Sequence, residues 1–404
     1  MLVNFTVGNF RSFKEKRTLS MEAANIKEFA DSVINQEGRQ ILPLAALYGA
    51  NSGGKSNLLK AMKVFVDMVR NSFIKMNSND RFQIEPFMLD GVSGGRPSFF
   101  EIEIISNTTK NYYRYGFEAT AEAVVAEWLY KRTQKREVCL FLRANNTIEP
   151  TKLFAEGKGI ENRARPNSLF LSVCDSFNGQ IAHDITSTIS PMLVMSAVNH
   201  DEIYEATKIL HWNMNQQYLN QMSEMFRNLD VGFSYFAIPH DEMLAKAVKA
   251  FTYHNKYDAE GNVIGKVRFT MLNNESQGTN KLFDMMFVIL FTLQNGSLLA
   301  FDEFDCKLHP LITAYIIQLF NNPKYNTGHG QLVFATHDSN LLSAKCLRRD
   351  EVWFVEKDKQ EASDLYSLVE FKDADGVKVR NDRSFEKDYI KGRYGAIPYV
   401  NYNW

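Results

Sequence analysis

Val3, Phe5 and Val7 alternate with polar neighbours at the start of the chain, a period of two that predicts a strand. Leu44 to Tyr48 is a short apolar run. After it, Leu58, Leu59, Met62, Phe65 and Val69 recur at helical spacing from Asn57 to about Ile74. Phe99 to Ile105 and Tyr112 to Ala119 predict a hairpin around Ser106, and a second strand pair follows through Ala126 to Tyr130 and Glu137 to Leu142. From about Ser168 to Asn228 the period becomes helical, with Ile203, Ala206, Ile209 and Leu210 on one stripe and Leu219, Met222, Met225 and Phe226 on another. Strands return between Val231 and Asn273, with a turn at Asp258 to Asn262. A helix from Gly278 to Gln294 ends at Gly296; strands at Leu298 to Phe301, Gln331 to Ala335 and Glu351 to Val355 follow, with a helix from about Pro310. Residues 1–164 and 231–404 therefore read as the two parts of one split α/β domain, and 165–230 as a helical insertion.

Composition narrows the class without naming an activity. The 404 residues allow a large core, and 45% hydrophobic with 23% charged residues is ordinary for a globular chain. A formal net charge of -1 provides no global field to draw nucleic acid, although a local basic groove stays open. The start lacks the build of a signal peptide, and the most apolar helical stretch, Leu282 to Leu293, contains Asp284 and is too short to span a bilayer. Cys139, Cys174, Cys306 and Cys346 form no CxxC pair and read as thiols of a reducing compartment. The expectation is a cytoplasmic protein with no membrane contact.

The candidate chemistry starts at Gly49-Ala-Asn51-Ser52-Gly53-Gly54-Lys55-Ser56, a full match to the phosphate loop GxxxxGK[ST]. Glycines let such a backbone curl its N–H groups toward phosphates, and the following helix, opened by Ser56 and Asn57, turns its positive end to them. Lys55 would reach the β and γ phosphates of ATP, and Ser56 would ligate Mg²⁺. Leu298 to Phe301 then delivers Asp302 and Glu303 at a strand's carboxyl end, Asp302 for the Mg²⁺ shell and Glu303 to polarise the attacking water. An apolar run ending in two carboxylates is also how a plain strand ends; order and company give it weight, because Thr336-His337-Asp338 follows the next strand. His337 is placed to sense the γ-phosphate. Ahead of the 278–294 helix stands Glu275-Ser276-Gln277-Gly278-Thr279, small residues at a helix N-terminus that make a second anion cradle, although an ordinary helix cap reads the same. With one phosphate loop already present, this second cradle makes most sense against the nucleotide of another subunit.

These motifs in this order resemble the ABC-type ATPases that include the RecF, SMC and OLD families. Asn9-Phe10-Arg11-Ser12-Phe13 is similar to their N-terminal segment, whose arginine lies near nucleotide, which implies a nucleotide contact for Arg11. Ser276 and Gly278 match their signature, although Gln277-Gly278-Thr279 departs from its common spelling. Asp305 to Pro310 resembles the OLD-like loop after the second carboxylate. The resemblance implies a glutamine loop, for which Gln83 is the candidate, as a metal contact; a polar residue leading a strand looks the same. The signature, the stretch Arg348 to Asp358 and the terminal Tyr389 to Pro398 together resemble the RloA/AbiL-type ATPases of anti-phage and abortive-infection loci. What this implies is an ABC-type P-loop NTPase head with a helical insertion, ATP and Mg²⁺ as cofactors, a homodimer or larger assembly, and a separately encoded Toprim- or HNH-type effector.

OLD proteins append a Toprim nuclease domain, but only 48 residues follow Glu356, fewer than the roughly 100 such a domain needs, so no intrinsic nuclease is expected. Asp373 and Asp375 flank a turn rather than a metal, and His254-Asn255 lacks a second histidine at HNH spacing. The run Lys131 to Arg136 suits a solvated hairpin or a contact to nucleic acid or an acidic partner. Met192, Met195, Met214, Met222 and Met225 read as core filler. The expected protein is an ATP-hydrolysing, nucleotide-gated dimer that regulates a partner effector in anti-phage defence. The alternative is a RecF/SMC-like ATPase of DNA repair or chromosome maintenance that binds DNA directly.

Overall fold

The computed structural model describes all residues except 134–135, 212–215, 230, 240, 343–345, 373–375, 377, 381–382 and 399–404. Asp373, Asp375, Lys135 and Met214 of the sequence reading lie outside the described residues. The chain divides into two compact units, the first of residues 1–195, 292–304 and 314–404, the second of 196–291 and 305–313.

The first unit opens with strands β1 (Leu2–Gly8) and β2 (Arg17–Ser20), the small hairpin β3 (Ile34–Gln36) and β4 (Arg39–Ile41), strand β5 (Leu44–Tyr48) and helix α1 (Lys55–Asn71). Then come β6 (Ser98–Ile105), β7 (Tyr112–Ala119), β8 (Val124–Arg132), β9 (Glu137–Ala144), β10 (Thr147–Pro150), helices α2 (Phe170–Ser176) and α3 (Gln180–Ile189), and β11 (Leu193–Ser196). The second unit holds α4 (His200–His211), α5 (Gln216–Arg227), β12 (Tyr235–Ala237), α6 (Glu242–Val248), β13 (Phe251–Tyr257), β14 (Val263–Thr270) and α7 (Met271–Asn274). Helix α8 (Gln277–Asn295) begins in the second unit and ends in the first. Last come β15 (Leu298–Asp302), α9 (Pro310–Asn321), β16 (Gln331–Ala335), β17 (Val352–Lys357), β18 (Ser363–Ser367) and α10 (Phe385–Ile390).

Two large sheets and the small β3–β4 hairpin build the first unit among the described residues. An antiparallel sheet runs β10-β9-β8-β7-β6-β1-β2, and the hairpin expected around Ser106 is its β6–β7 pair. The second sheet runs β11-β15-β16-β5-β17-β18, with β15, β16, β5 and β17 parallel and β18 antiparallel at the end. Parallel strands are covered on both faces, which is why Leu44–Tyr48 and Gln331–Ala335 are buried at every position and read as apolar runs, broken only by Gln331, whose buried amide donates to the Leu2 and Leu42 carbonyls. Helix α1 buries the stripe Leu58, Leu59, Met62, Phe65 and Val69, and one core joins it to Val3 and Phe5 of the first sheet and Leu47, Ala300 and Val333 of the second. Phe65 stacks on Phe117 at 5.2 Å and meets Phe5 edge-on at 5.8 Å.

Helices α2 and α3, at the start of the segment read as an insertion, belong to the first unit because they dock on α1: Ser172 donates to the Val69 carbonyl, and Arg70 holds the carbonyls of Ser190 and Met192. Helices α4 and α5 belong instead with the three-stranded sheet β12-β13-β14. The seven-residue helix α6, capped by Asp241 accepting from the Leu244 N–H, interrupts a stretch whose pattern suggests only strands. Met192, Met195, Met222 and Met225 are buried. No helix among the described residues is long and apolar enough to cross a membrane.

Candidate functional site

Gly49 to Ser56 connects the buried strand β5 to α1, the strand–loop–helix context a phosphate loop needs. The glycines are demanded by the approach of β17: a Cβ on Gly49 or Gly53 would sit 2.2 or 2.7 Å from the Val355 carbonyl oxygen. Gly54, at φ 124°, caps α1 in a conformation side chains disfavour, and a Cβ there would lie 2.3 Å from Ser363 Oγ. Ser52 is held in the left-handed region at φ 66°. Lys55 is buried, and its ammonium donates to the loop carbonyls of Gly49 and Ala50 at 2.7 and 3.2 Å, so the cation stays inside the curl it helps to form.

The parallel register brings three strand ends level. Phe301 faces Phe334, and Ala335 faces Leu47. Beyond the paired residues the Phe304 N–H donates to the Ala335 carbonyl at 3.0 Å, and the Thr336 N–H donates to the Leu47 carbonyl at 3.2 Å. Asp302 and Glu303 thus leave the sheet at the same carboxyl edge as Tyr48-Gly49 and Thr336-His337, with the histidine strand between the other two. Glu303 is exposed and held at φ 52°, a left-handed conformation that costs a non-glycine residue of order 1 kcal/mol. His337 is exposed. Next to it, Asp338 Oδ2 is a buried carboxylate oxygen without a hydrogen-bond partner among the described residues, while Oδ1 accepts from Asn340.

The segment Asn9 to Phe13 folds back on itself, Phe10 and Phe13 exchanging backbone hydrogen bonds, with Asn9 and Arg11 at positive φ. Arg11 pairs with Glu85 at 2.9 Å, and its backbone N–H donates to the Glu85 carbonyl, which fixes the extended stretch carrying Gln83 beside this turn. Gln83 itself is exposed. Two residues that the sequence did not single out complete the loop's support. Ser12 Oγ accepts from Asn57 Nδ2 at 2.8 Å and lies 2.7 Å from Ser363 Oγ, whose proton goes to the Gly53 carbonyl at 2.7 Å. A third is Tyr389, which packs edge-on against Tyr48 at 5.7 Å; burial pushes its phenol up, partly offset by a hydrogen bond from the Gly49 backbone. Tyr389 opens the terminal Tyr389 to Pro398 stretch, which the sequence marks as a motif without giving this residue a role.

Ser276 and Gly278 lie in the second unit. Ser276 caps α8, its Oγ accepting from the Thr279 N–H at 3.0 Å. Glu275 is anchored to β13 by Thr252 and by His254, 2.8 Å from His254 Nε2. Among the described residues a Cβ on Gly278 would meet nothing nearer than 3.7 Å, so their packing does not require glycine there.

The donors at the strand edge fit a hydrated divalent cation bound with nucleotide. A serine hydroxyl at Ser56 and a carboxylate at Asp302 are hard oxygen ligands of the kind Mg²⁺ takes, a few from protein and the rest from phosphate and water. The glycine curl that a Cβ would fill supplies the phosphate side of such a site.

A family model described as "AAA domain, putative AbiEii toxin, Type IV TA system" matches residues 44–343, more than half the chain. Among solved structures, the SMC head domain from Thermotoga maritima is similar at 13% identity and TM-score 0.41, over 91% of this chain and 98% of that one. The SmcHead bound to the C-winged helix domain of ScpA is similar at 14% identity and TM-score 0.44, over 91% and 97%. The recombination mediator protein RecF with ATP is similar at 12% identity and TM-score 0.32, over 90% and 97%. No curated protein matches the chain.

Proposed function

The chain belongs to that AAA-domain family, and from this premise we propose that it binds and hydrolyses ATP as an ABC-type head, with nucleotide sandwiched between two copies. The observation that carries the reading is the level carboxyl edge of β5, β16 and β15, which gathers the phosphate loop, His337 and the Asp302–Glu303 pair. In this reading Lys55 and the loop N–H groups of Asn51 to Asn57 bind the phosphates, with Arg11 near the nucleotide. Ser56 and Asp302 hold Mg²⁺, and Gln83 is the proposed glutamine-loop contact. Bound Mg²⁺ supplies charge neutralisation at the β and γ oxygens. Glu303 accepts a proton from the attacking water, its backbone turn lifting the carboxylate off the strand, and His337 hydrogen-bonds the γ-phosphate.

Ser276 and Gly278 of one copy face the nucleotide of the other. The spare room at Gly278 supports this, because glycine at a helix start weakens the helix and the fold gains nothing from it. ATP then favours the closed pair because only the γ-phosphate contacts both cradles, and hydrolysis releases it. The RloA/AbiL-like motifs and the toxin–antitoxin wording of the family support a role as gate for a separately encoded effector in anti-phage defence. A direct nucleic-acid ATPase is the second reading, favoured by a basic aromatic surface in the second unit.

The test is the variant Glu303→Gln, assayed for ATP binding, turnover and mass by light scattering. Binding retained, turnover lost and an ATP-trapped dimer support the reading. Turnover near wild type removes Glu303 from its role, and a protein that stays monomeric and inert with Mg-ATP sinks the sandwich.

A further inference from the structure

In the three-stranded sheet of the second unit one face is packed at Phe236 and Thr252, while Phe269 of the edge strand β14 on that same face stays 38% exposed; the other face is open. Register pairs Tyr235 with Tyr253 and Tyr253 with Arg268, so these three side chains share a face, along with Phe251 and Lys266 on the same alternation. The opposite face carries Phe236 and Thr252, both buried, and His254, which is tied to Glu275. On the open face Tyr235 is 41% exposed, and its ring stacks on Tyr253 at 4.3 Å with 9° between planes. Lys266 Nζ lies 4.4 Å from the Tyr235 ring centre, and the Arg268 guanidinium 4.5 Å from that of Phe251.

Both cations are exposed, and among the described residues no carboxylate pairs with either; they rest on aromatic faces instead. The strands contribute no acidic side chain to this face; the nearby Asp258 and Glu260 sit in the β13–β14 turn, where Asp258 accepts from the Asn262 N–H. An exposed Tyr235 ring beside the half-buried Tyr253 and Phe251, with cations on their faces that no described carboxylate holds and that a ligand can draw away, suits one ligand chemistry in particular. Unstacked bases have π-faces to lay on tyrosine and phenylalanine, and the phosphates between them take lysine and arginine. A duplex hides its base faces and offers no such match.

We infer that the open face of β12-β13-β14 binds single-stranded nucleic acid, its bases stacking on Tyr235, Tyr253 and Phe251 and its phosphates meeting Lys266 and Arg268. The surface lies wholly within the second unit, and its binding does not depend on the nucleotide reading above.

The experiment is fluorescence anisotropy of the full chain with labelled oligothymidylate and oligouridylate of about 16 nucleotides, and with the matching duplex. Single strands are expected to bind more tightly than the duplex. Equal affinity for DNA and RNA assigns recognition to bases and phosphates alone, and a preference for RNA adds the 2′-hydroxyl; both support the site. The double variant Tyr235→Ala with Tyr253→Ala should lose about tenfold or more in affinity, whereas the paired Tyr→Phe changes should retain it. The pair Lys266→Gln and Arg268→Gln should lower the slope of log affinity against log salt by about 1.4, for two phosphates on a single strand. Lys152→Gln with Lys158→Gln, the same loss of charge at two exposed positions in the first unit, should change neither. Unaltered melting temperatures show that the variants fold. No single-strand binding at low salt, a preference for duplex, or binding indifferent to the tyrosine and cation changes overturns the inference.

Discussion

Ser363 Oγ donates to the carbonyl oxygen of Gly53 at 2.7 Å, so the last strand of the sheet is fastened to the middle of the phosphate loop. The same hydroxyl contacts Ser12 Oγ, and the Ser363 N–H donates to the Ser12 carbonyl at 2.7 Å, which makes the N-terminal turn, the loop and β18 one rigid group. Ser363 is buried, so removing its hydroxyl strands a loop carbonyl away from water. Ser363→Ala should therefore cost about 1–2 kcal/mol of stability, read as a lower midpoint in urea. It should also raise KM for ATP more than it lowers kcat, because the loop must then be ordered by the ligand. An unchanged KM would separate Ser363 from the phosphate site.

Two glycines separate the demands of folding from those of assembly. At Gly54 the left-handed φ and the 2.3 Å approach of Ser363 Oγ leave no room for a methyl group. Gly54→Ala should lower the melting temperature and abolish ATP binding together. At Gly278 the nearest atom to an added Cβ is 3.7 Å away, and replacing glycine by alanine in a helix is worth up to about 1 kcal/mol. Gly278→Ala should keep or raise the melting temperature and keep ATP binding, yet lower turnover and ATP-dependent dimerisation. Full activity in that variant would mean that nothing outside the chain approaches Gly278 closely.

How much of this was legible follows from which interactions are local. The β5–loop–α1 segment is encoded within a few residues, because a strand buried on both faces must be apolar throughout and a curl pressed on Val355 must be glycine. Asp302, Glu303 and His337 could be placed at strand ends for the same reason. Ser12 and Ser363 are 351 residues apart, and no periodic pattern marks a serine that matters through so distant a partner. Helices α2 and α4 have similar apolar spacing, yet one docks on α1 and the other lies with β12-β13-β14, a distinction set by tertiary partners rather than by period. Helix α6 is only seven residues long, too short for its period to stand out between strands.

Glu351 gives the fold a pH dependence. Its carboxyl is fully buried at the start of β17, and burial, helped by the charge of Asp350, pushes it up to about 8 despite the Arg348 N–H and guanidinium. The folded pKa lies above the unfolded value, so the folded chain binds the extra proton. Its stabilising contribution is complete below the ordinary glutamate range and is lost as pH rises through about 8. Melting temperature should accordingly fall between pH 6 and pH 9, and Glu351→Gln, which keeps an oxygen for the Arg348 N–H but cannot ionise, should flatten that fall. A variant that loses as much as wild type over this range would assign the dependence to other groups.

Helix α8, which carries the proposed signature at its start, holds a buried ion pair of its own. Lys249 Nζ lies 2.6 Å from Asp284 Oδ2, both side chains nearly inaccessible, and Lys249 caps α6 in a left-handed turn at φ 64°. Two turns of helix separate Asp284 from Gln277, so the pair holds the start of α8 against the body of the second unit. Lys249→Met leaves the Asp284 charge in a dry site without its ammonium, and such one-sided losses cost about 3–5 kcal/mol. Replacing both partners, Lys249→Met with Asp284→Leu, removes the buried charge as well as the pair, so most of the stability should return. Chemical denaturation of the wild type, both single variants and the double variant measures the coupling directly. If the double variant is as unstable as Lys249→Met alone, packing rather than charge is what Lys249 contributes, and the pair does not fix α8. If stability returns while ATP turnover stays low, the ion pair positions the signature in a way that apolar packing does not reproduce.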